Sequence, residues 1–418
     1  MLKVPMRQAV PGMKLALSLH HPAKPGRVLL RAGYELDASD IERLRELEIR
    51  EIWVRYPSLA FVGEYINPAA MELRHELAAA LDSTFEAVAD AGDVQLDYDQ
   101  FRRTISDLVD QFVEQPRAAL YIDEICAGGK THISHAANVC SLSLLMGLKL
   151  QSYIVSQRSR LHPREAMKVV SLGVGAMFHD IGMLRLDSDA LERWSRTLDE
   201  SDESWRKHVR LGYETVRHAI GPSAASIVLN HHQHFDGTGF PAKLEPDGVA
   251  RAQCGEQIPV FARIVTAADL YDRLRHPPDG STERSPAEAL HTLLRSEMSA
   301  WLDPMVFKAL VSVAPPYPPG VMVELSDGST GVVTGWSAAE PCRPIVRLIE
   351  NPTAHFAEPP SETRNVDLRD HPELHVAVAD GKPVASFNFY ASREDDFDAE
   401  AAQANLWRTT EAESGSAA

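Results

Sequence analysis

The run H-H-Q-H-F-D-G-T-G-F-P, residues 231–241, limits what this chain can become. Protonated imidazoles repel one another, so a fold that crowds three of them must keep them neutral or give their lone pairs something to bind. So dense a run seldom arises just to fill a core. A metal ion is the first candidate ligand, since neutral imidazole is among the commonest metal donors.

The surroundings read as helix. From about 117 to 315 apolar residues recur at helical spacing, notably over 136–150, 166–179, 224–229, 258–274 and 286–294. Upstream, 67–90 carries Leu73, Leu77, Leu81, Phe85 and Val88 on one stripe. A second stripe holds Phe101, Ile105, Leu108, Val109 and Phe112 and ends near Pro116. Such stripes are first of all packing faces, with a dimer-forming or signal-transmitting connector as the alternative.

Residues 1–65 read as a small α+β module. Short apolar runs at 28–30 and 49–54 flank Ala38-Ser39-Asp40, a helix start before Ile41, Leu44 and Leu47. Past the proline-rich 315–320 the texture changes to short β-type runs at 321–325, 331–334 and 344–349, with Asp327-Gly328 as a turn. The acidic, then Ala/Ser-rich tail is expected to be disordered. The expected class is mainly α. The expected order is an N-terminal α+β module (1–65), a helical connector (66–116), a helical domain (117–315), a β-rich module (316–391) and a tail (392–418).

Composition narrows the function. The 418 residues allow two or three domains. No run of eighteen apolar residues occurs and the start lacks a signal-peptide pattern, so neither a membrane span nor secretion is expected. Cys126, Cys140, Cys254 and Cys342 lie far apart without a C-x-x-C pair, which fits buried thiols in a reduced, cytosolic setting. A net charge of −17 with no basic stripe speaks against duplex nucleic acid as a partner. An anionic ligand then needs a local cation, which bound metal can supply.

Further chemistry-bearing residues lie outside the run. His135, three residues after His132, lies on an apolar helix or just before it, His179-Asp180 ends another, His208 follows in W-R-K-H-V, and Asp269 closes T-A-A-D. Singly, each has an ordinary reading: a satisfied surface histidine, a helix-end pair, a carboxylate beside an arginine. Jointly they favour a metal site, because a helical bundle gathers such residues inward and a buried carboxylate is costly unless it is paired or ligating.

F-H-D-I-G, then H-H-Q-H-F-D-G-T-G-F-P, then T-A-A-D-L-Y-D, in this order, resembles the HD-GYP family. This is a branch of the HD phosphohydrolases that degrades the bacterial second messenger cyclic di-GMP. The resemblance covers about 117–315 and implies an HD-type helical bundle. Residues 1–65 resemble, more weakly, a module often found ahead of such domains. The resemblance implies seven metal ligands: His135, His179, Asp180, His208, His231, His232 and Asp269, with Asp180 bridging two ions. It makes His179 and Asp180 the catalytic pair and Asp236, Gly237, Thr238, Gly239 and Phe240 the substrate-binding loop. Five imidazoles and two carboxylates suit two divalent transition-metal ions, iron or manganese first, with zinc or nickel as alternatives. Two cations about 3.5–4 Å apart can share a water, acidify it and neutralise the phosphate under attack.

The chain departs from the family pattern at several contacts. Met183 stands where a lysine is usual, Gln233 where a glutamate is, and Phe240 where the name-giving tyrosine is. Pro278-Asp279-Gly280-Ser281 replaces an Arg-Pro-Tyr run, leaving Arg273, Arg275 or Arg284 as substitute cations. Thr131 stands where some members carry a third-metal glutamate, so two ions are expected. Each charged hydrogen bond lost to phosphate costs about 1.5–3 kcal/mol. Two functions therefore stay open. One is a cyclic di-GMP phosphodiesterase working through a two-metal bridging hydroxide. The other is a catalytically degenerate receptor or scaffold regulating a signalling partner such as a diguanylate cyclase. A homodimer is compatible with either.

Overall fold

A computed structural model of the chain describes residues 1–21, 27–49, 51–56, 60, 63–91, 97–115, 131–279, 281–349 and 364–390. The protein is mainly α. Its first unit comprises β1 (Leu2–Pro5), β2 (Leu19–His20), β3 (Val28–Leu30), α1 (Ala38–Glu46) and β4 (Glu51–Val54). β1 pairs antiparallel with β4, setting Leu2 opposite Val54 and Val4 opposite Ile52. α1 starts in a capping box: Asp37 accepts from the Asp40 N–H and Asp40 from the Asp37 N–H. Ile41 and Leu44 then bury themselves with Leu2, Val4, Ile52 and Val54.

Two long helices follow, α2 (Pro68–Ala91) and α3 (Tyr98–Glu114). Leu77, Leu81, Phe85 and Val88 of α2 and Phe101, Ile105, Leu108 and Phe112 of α3 are buried in the core of the helical body. These stripes serve intramolecular packing. Met71, near the start of α2, belongs to the N-terminal core instead, so this one helix is anchored in two cores. The connector's expected end at Pro116 lies outside the described residues.

The helical body runs through α4 (Thr131–Lys149), α5 (Gln151–Gln157), α6 (Pro163–Ala166), α7 (Val170–Met177), α8 (Ser188–Thr197), α9 (Glu203–Arg206), α10 (His208–Val216) and α11 (Pro222–Asn230). A small hairpin, β5 (Lys243–Leu244) and β6 (Ala250–Arg251), precedes α12 (Val260–Arg275), α13 (Pro286–Arg295), α14 (Met298–Trp301) and α15 (Pro304–Val313). At the centre α7 packs against α4, α11 and α12, and α12 packs against α4 and α11.

One detail differs from expectation. The single helix expected over 166–179 is two: Pro163 sets an earlier start, exposed Met167 and Lys168 interrupt the apolar face, and α7 stops at Met177. α12 matches the run expected over 258–274, continuing past Asp269 to Arg275 as Leu270, Tyr271 and Leu274 keep burying themselves. By composition the stretch Pro163–Arg185 is apolar enough to cross a membrane, but 61% of that window is buried inside the fold.

The C-terminal unit is a six-stranded antiparallel sheet. It contains β7 (Met322–Leu325), β8 (Thr330–Gly335), β9 (Ile345–Leu348), β10 (Asn365–Asp367), β11 (Val376–Ala379) and β12 (Lys382–Pro383), in the order β10-β9-β8-β7-β11-β12. Val332 and Ile349 join the N-terminal core, and the buried Lys3 ammonium pairs with Glu51 at 3.0 Å and Asp380 at 3.4 Å. Cys140 and Cys342 are buried as expected, whereas Cys254, on the loop before α12, is exposed. Cys126 and the tail 392–418 lie outside the described residues.

Candidate metal centre

The apolar sequence of α7 buries the helix and delivers His179-Asp180 just past its end, before a 3-10 turn over Ile181–Arg185. Nδ1 of His179 lies 2.8 Å from the Ala176 carbonyl. A carbonyl only accepts, so Nδ1 carries the proton and Nε2 keeps its lone pair for the centre. The same device recurs twice. Nδ1 of His208 donates to the Trp205 carbonyl at 2.7 Å, and Nδ1 of His231 to that of Val228 at 3.0 Å. On α4, Nδ1 of His135 instead donates to the Asp272 carboxylate at 2.6 Å.

Asp180 stands in the middle. Its Oδ1 lies 3.5 Å from Nε2 of His208 and 3.4 Å from Nε2 of His231. Its Oδ2 lies 3.4 Å from Nε2 of His179 and 3.9 Å from Nε2 of His135. Oδ1 of Asp269 approaches Nε2 of His135 at 3.1 Å and that of His179 at 3.9 Å. The seven residues thus form two donor groups: Asp180, His208, His231 and His232 in one, and His135, His179 and Asp269 in the other. Asp180 keeps 30% side-chain exposure, while the histidines other than His135 are almost fully buried, so solvent reaches the cluster at this carboxylate.

Two glycines allow the approach. A Cβ on Gly182 would sit 2.0 Å from the His208 carbonyl oxygen and 2.5 Å from the Gly212 nitrogen, so only glycine lets α10 bring His208 to Asp180. A Cβ on Gly239 would lie 2.3 Å from the His232 carbonyl oxygen and 2.2 Å from the His234 nitrogen. The bare Cα there serves the tightness of the loop itself. Asp236 closes the same loop by accepting from the Thr238 N–H at 2.9 Å and its hydroxyl at 2.7 Å. Gln233 ties the loop's far end through Nε2 to the Pro241 carbonyl at 2.6 Å. Phe240 is buried, its ring stacked on His232 and capped by the guanidinium of Arg206. Met183 packs beside it with Trp194, Trp205 and Val209.

The electrostatics split the donors. Burial opposes charge on His135, yet Asp269 and Asp272 beside it push its pKa up to about 10. Burial brings His208 down to about 4, with His231 adding repulsion, and holds His232 well below its ordinary range. Burial also opposes charge on Asp180, but His179, His231 and His208 hold its carboxyl well below the usual carboxylate range. Nε2 of His179 and Oδ1 of Asp269 are buried without a hydrogen-bond partner among the described residues. Orphaned donor atoms facing a carboxylate are what a metal site presents before its ion, so the donor set fits divalent metal.

Several residues of the site escape sequence reasoning. Asp272 accepts from His135, from Asn138 Nδ2 at 2.8 Å and from His276 Nδ1 at 3.0 Å. Arg273 grips Oδ2 of Asp269 through Nη2 and Glu200 through Nη1 at 3.0 Å. Of the three candidate arginines Arg273 turns to the centre, whereas Arg275 and Arg284 donate to the carbonyls of Arg284 and Leu274. A Y-D-R tripeptide offers no signal that its arginine faces a ligand one helical turn back, beyond the i, i+4 spacing from Asp269.

The site lies largely within a recognised domain. A family model described as an HD domain matches residues 149–306. The cyclic di-GMP phosphodiesterase PA4108 of Pseudomonas aeruginosa is 28% identical over 332 residues, covering 72% of this chain and 74% of that protein. The chain carries an HD domain and is similar in sequence to cyclic di-GMP phosphodiesterases. Another relative is named the 3'3'-cGAMP-specific phosphodiesterase 3 of Vibrio cholerae. It is 29% identical over 144 residues, 32% of this chain and 27% of that protein. Among solved structures, the HDG"Y"P protein Bd1817 from Bdellovibrio bacteriovorus matches with a TM-score of 0.44 and 17% identity, over 75% of this chain and 98% of that one.

Proposed function

We propose that this chain is a metal-dependent phosphodiesterase of cyclic dinucleotides, with cyclic di-GMP as its substrate. The observation that carries the reading is Asp180, whose two carboxylate oxygens face two separate groups of imidazole donors. His208, His231 and His232 would hold one divalent ion, and His135, His179 and Asp269 the other. Five imidazoles with two carboxylates suit iron or manganese. When bound, the ions supply an acidified water and positive charge beside the scissile phosphodiester. The chain's own residues do the rest. Asp180 would be the ligand common to both groups, and the carbonyl-bound histidines hold one tautomer and one ring orientation. Arg273 places a fixed cation beside Asp269, and Asp236, Gly237, Thr238 and Gly239 form the loop along which the nucleotide lies. Phe240 supports that loop from below, against His232. The exposed thiol of Cys254 suits a reducing compartment.

One observation favours the second reading, a receptor or scaffold that regulates a signalling partner. Met183 sits among tryptophans where a phosphate-binding lysine would otherwise reach out. Incubating metal-loaded protein with cyclic di-GMP, with 3'3'-cGAMP and with a linear dinucleotide separates the two. The proposal expects cyclic di-GMP to be opened, and Asp180→Ala to abolish the reaction. Saturable binding of cyclic di-GMP without any product would establish the receptor.

A further inference from the structure

α2 is shared between two cores, and a buried chain of hydrogen bonds leaves its first turns, where Ala70 lies in the helical core and Met71 in the N-terminal one. Met71 lies in the N-terminal core and Leu77 in the helical core. Between them Arg74, only 2% exposed, extends Nη2 to Oδ1 of Asn138 on α4 at 2.7 Å. The amide of Asn138 donates in turn to Oδ1 of Asp272 on α12 at 2.8 Å, and Oδ2 of Asp272 holds Nδ1 of His135 at 2.6 Å. Nε2 of that ring faces Asp269 and Asp180. One residue on from Arg74, the His75 ring stacks at 3.7 Å on His20 of β2, in the N-terminal unit.

We propose that Arg74, Asn138 and Asp272 are positioning residues that set the orientation of His135, and so couple the seating of the N-terminal unit on α2 to metal affinity in the His135–His179–Asp269 pocket. Each member is polar and buried, so losing one strands its neighbour rather than handing it to water. Asp272 fixes the proton on Nδ1 of His135 and turns Nε2 inward. Asn138, by occupying the other oxygen of Asp272, prevents that carboxylate from rotating. Arg74 fixes the amide of Asn138, which would otherwise be free to flip. A shift of α2 by the N-terminal unit therefore reaches a ligand without touching the ion. The proposal rests on the metal-centre reading above.

The test is titration of full-length, metal-stripped protein with Mn2+, following both binding steps calorimetrically, with melting temperature recorded for each variant. Asp272→Asn should weaken one of the two steps by about 10–100-fold and leave the other in place. Arg74→Met should weaken the same step by less, Arg74→Lys should restore part of the loss, and the Arg74→Met/Asp272→Asn pair should bind no worse than Asp272→Asn alone. If Arg74→Met fails to fold, Asn138→Ser cuts the chain at its middle and should weaken the same step. Unchanged Mn2+ binding in folded Arg74→Met or Asn138→Ser protein, or losses that simply add, would overturn the relay while leaving the metal centre standing. Wild-type protein that takes up no Mn2+ would remove the metal-centre reading and the relay with it.

Discussion

The ring of Phe240 lies on that of His232, centroids 4.8 Å apart and 13° from parallel. Trp205 meets Phe240 edge-on at 5.7 Å, and Arg206 covers its outer face. The aromatic position of the histidine-rich loop is thus a packing element whose loss reaches a candidate ligand directly.

Phe240→Ala should therefore cost stability of about 3–5 kcal/mol, the usual range for emptying a buried phenylalanine site. Urea denaturation of the purified variant measures it. A variant as stable as the parent that has lost only nucleotide binding would place the ring in the substrate's path instead.

Metal uptake should depend on pH differently in the two pockets. Asp269 and Asp272 push His135 up to about 10, so below that pH an ion entering its pocket must displace a proton. Affinity there should rise by up to about tenfold per pH unit between pH 6 and 9. His208 stands at about 4 and is already neutral over that range, so it adds no such dependence to the other pocket. Mn2+ titrations at several pH values check this; two binding steps with the same slope would contradict it.

Much of this architecture is legible in the sequence, for physical reasons that also mark the limit. Leu77, Leu81, Phe85 and Val88 repeat at the helical period, and a repeat survives whatever it packs against. Imidazole and carboxylate clusters are costly without a ligand, which pointed to a metal site, and the resemblance to the HD-GYP family singled out the seven candidate donors. The partners that orient them could not be named. Asp272, Asn138 and Arg74 lie on three helices, and nothing local in Y-D-R or A-N-V marks them as one chain of hydrogen bonds. β10 and β12 went unread because strands of two or three residues, such as Asn365–Asp367, carry too few alternations to register.

A buried ion pair joins α12 to the start of α15. Nη1 of Arg263 lies 2.5 Å from Oδ2 of Asp303, and the Tyr153 hydroxyl donates to the same oxygen at 2.7 Å. Asp303→Ala leaves a guanidinium buried without its counter-charge and should cost about 3–5 kcal/mol. Chemical denaturation at neutral pH reports it, and a loss under 1 kcal/mol would mean that water reaches Arg263.

Acid should loosen the N-terminal unit. Burial, with His20 and Arg74 adding repulsion, lowers His75 to about 3, whereas the unfolded chain titrates near 6.5. The unfolded state then binds the extra proton between those values. Stability from this residue is complete above pH 6.5 and is lost as pH falls toward 3, by at most about 1.4 kcal/mol per unit. His75→Phe keeps a ring against His20 and should flatten the difference in melting temperature between pH 7 and pH 5. An unchanged difference would assign the acid sensitivity elsewhere.

The central claim is that Asp180 serves two ions at once, and counting metal per chain tests it most directly. Protein purified without oxygen and analysed for iron, manganese, zinc and nickel should carry two ions per chain. Asp180→Ala, prepared in parallel, should lose both or retain a single weakly held ion. One ion in each protein, or two in the variant, would contradict the account.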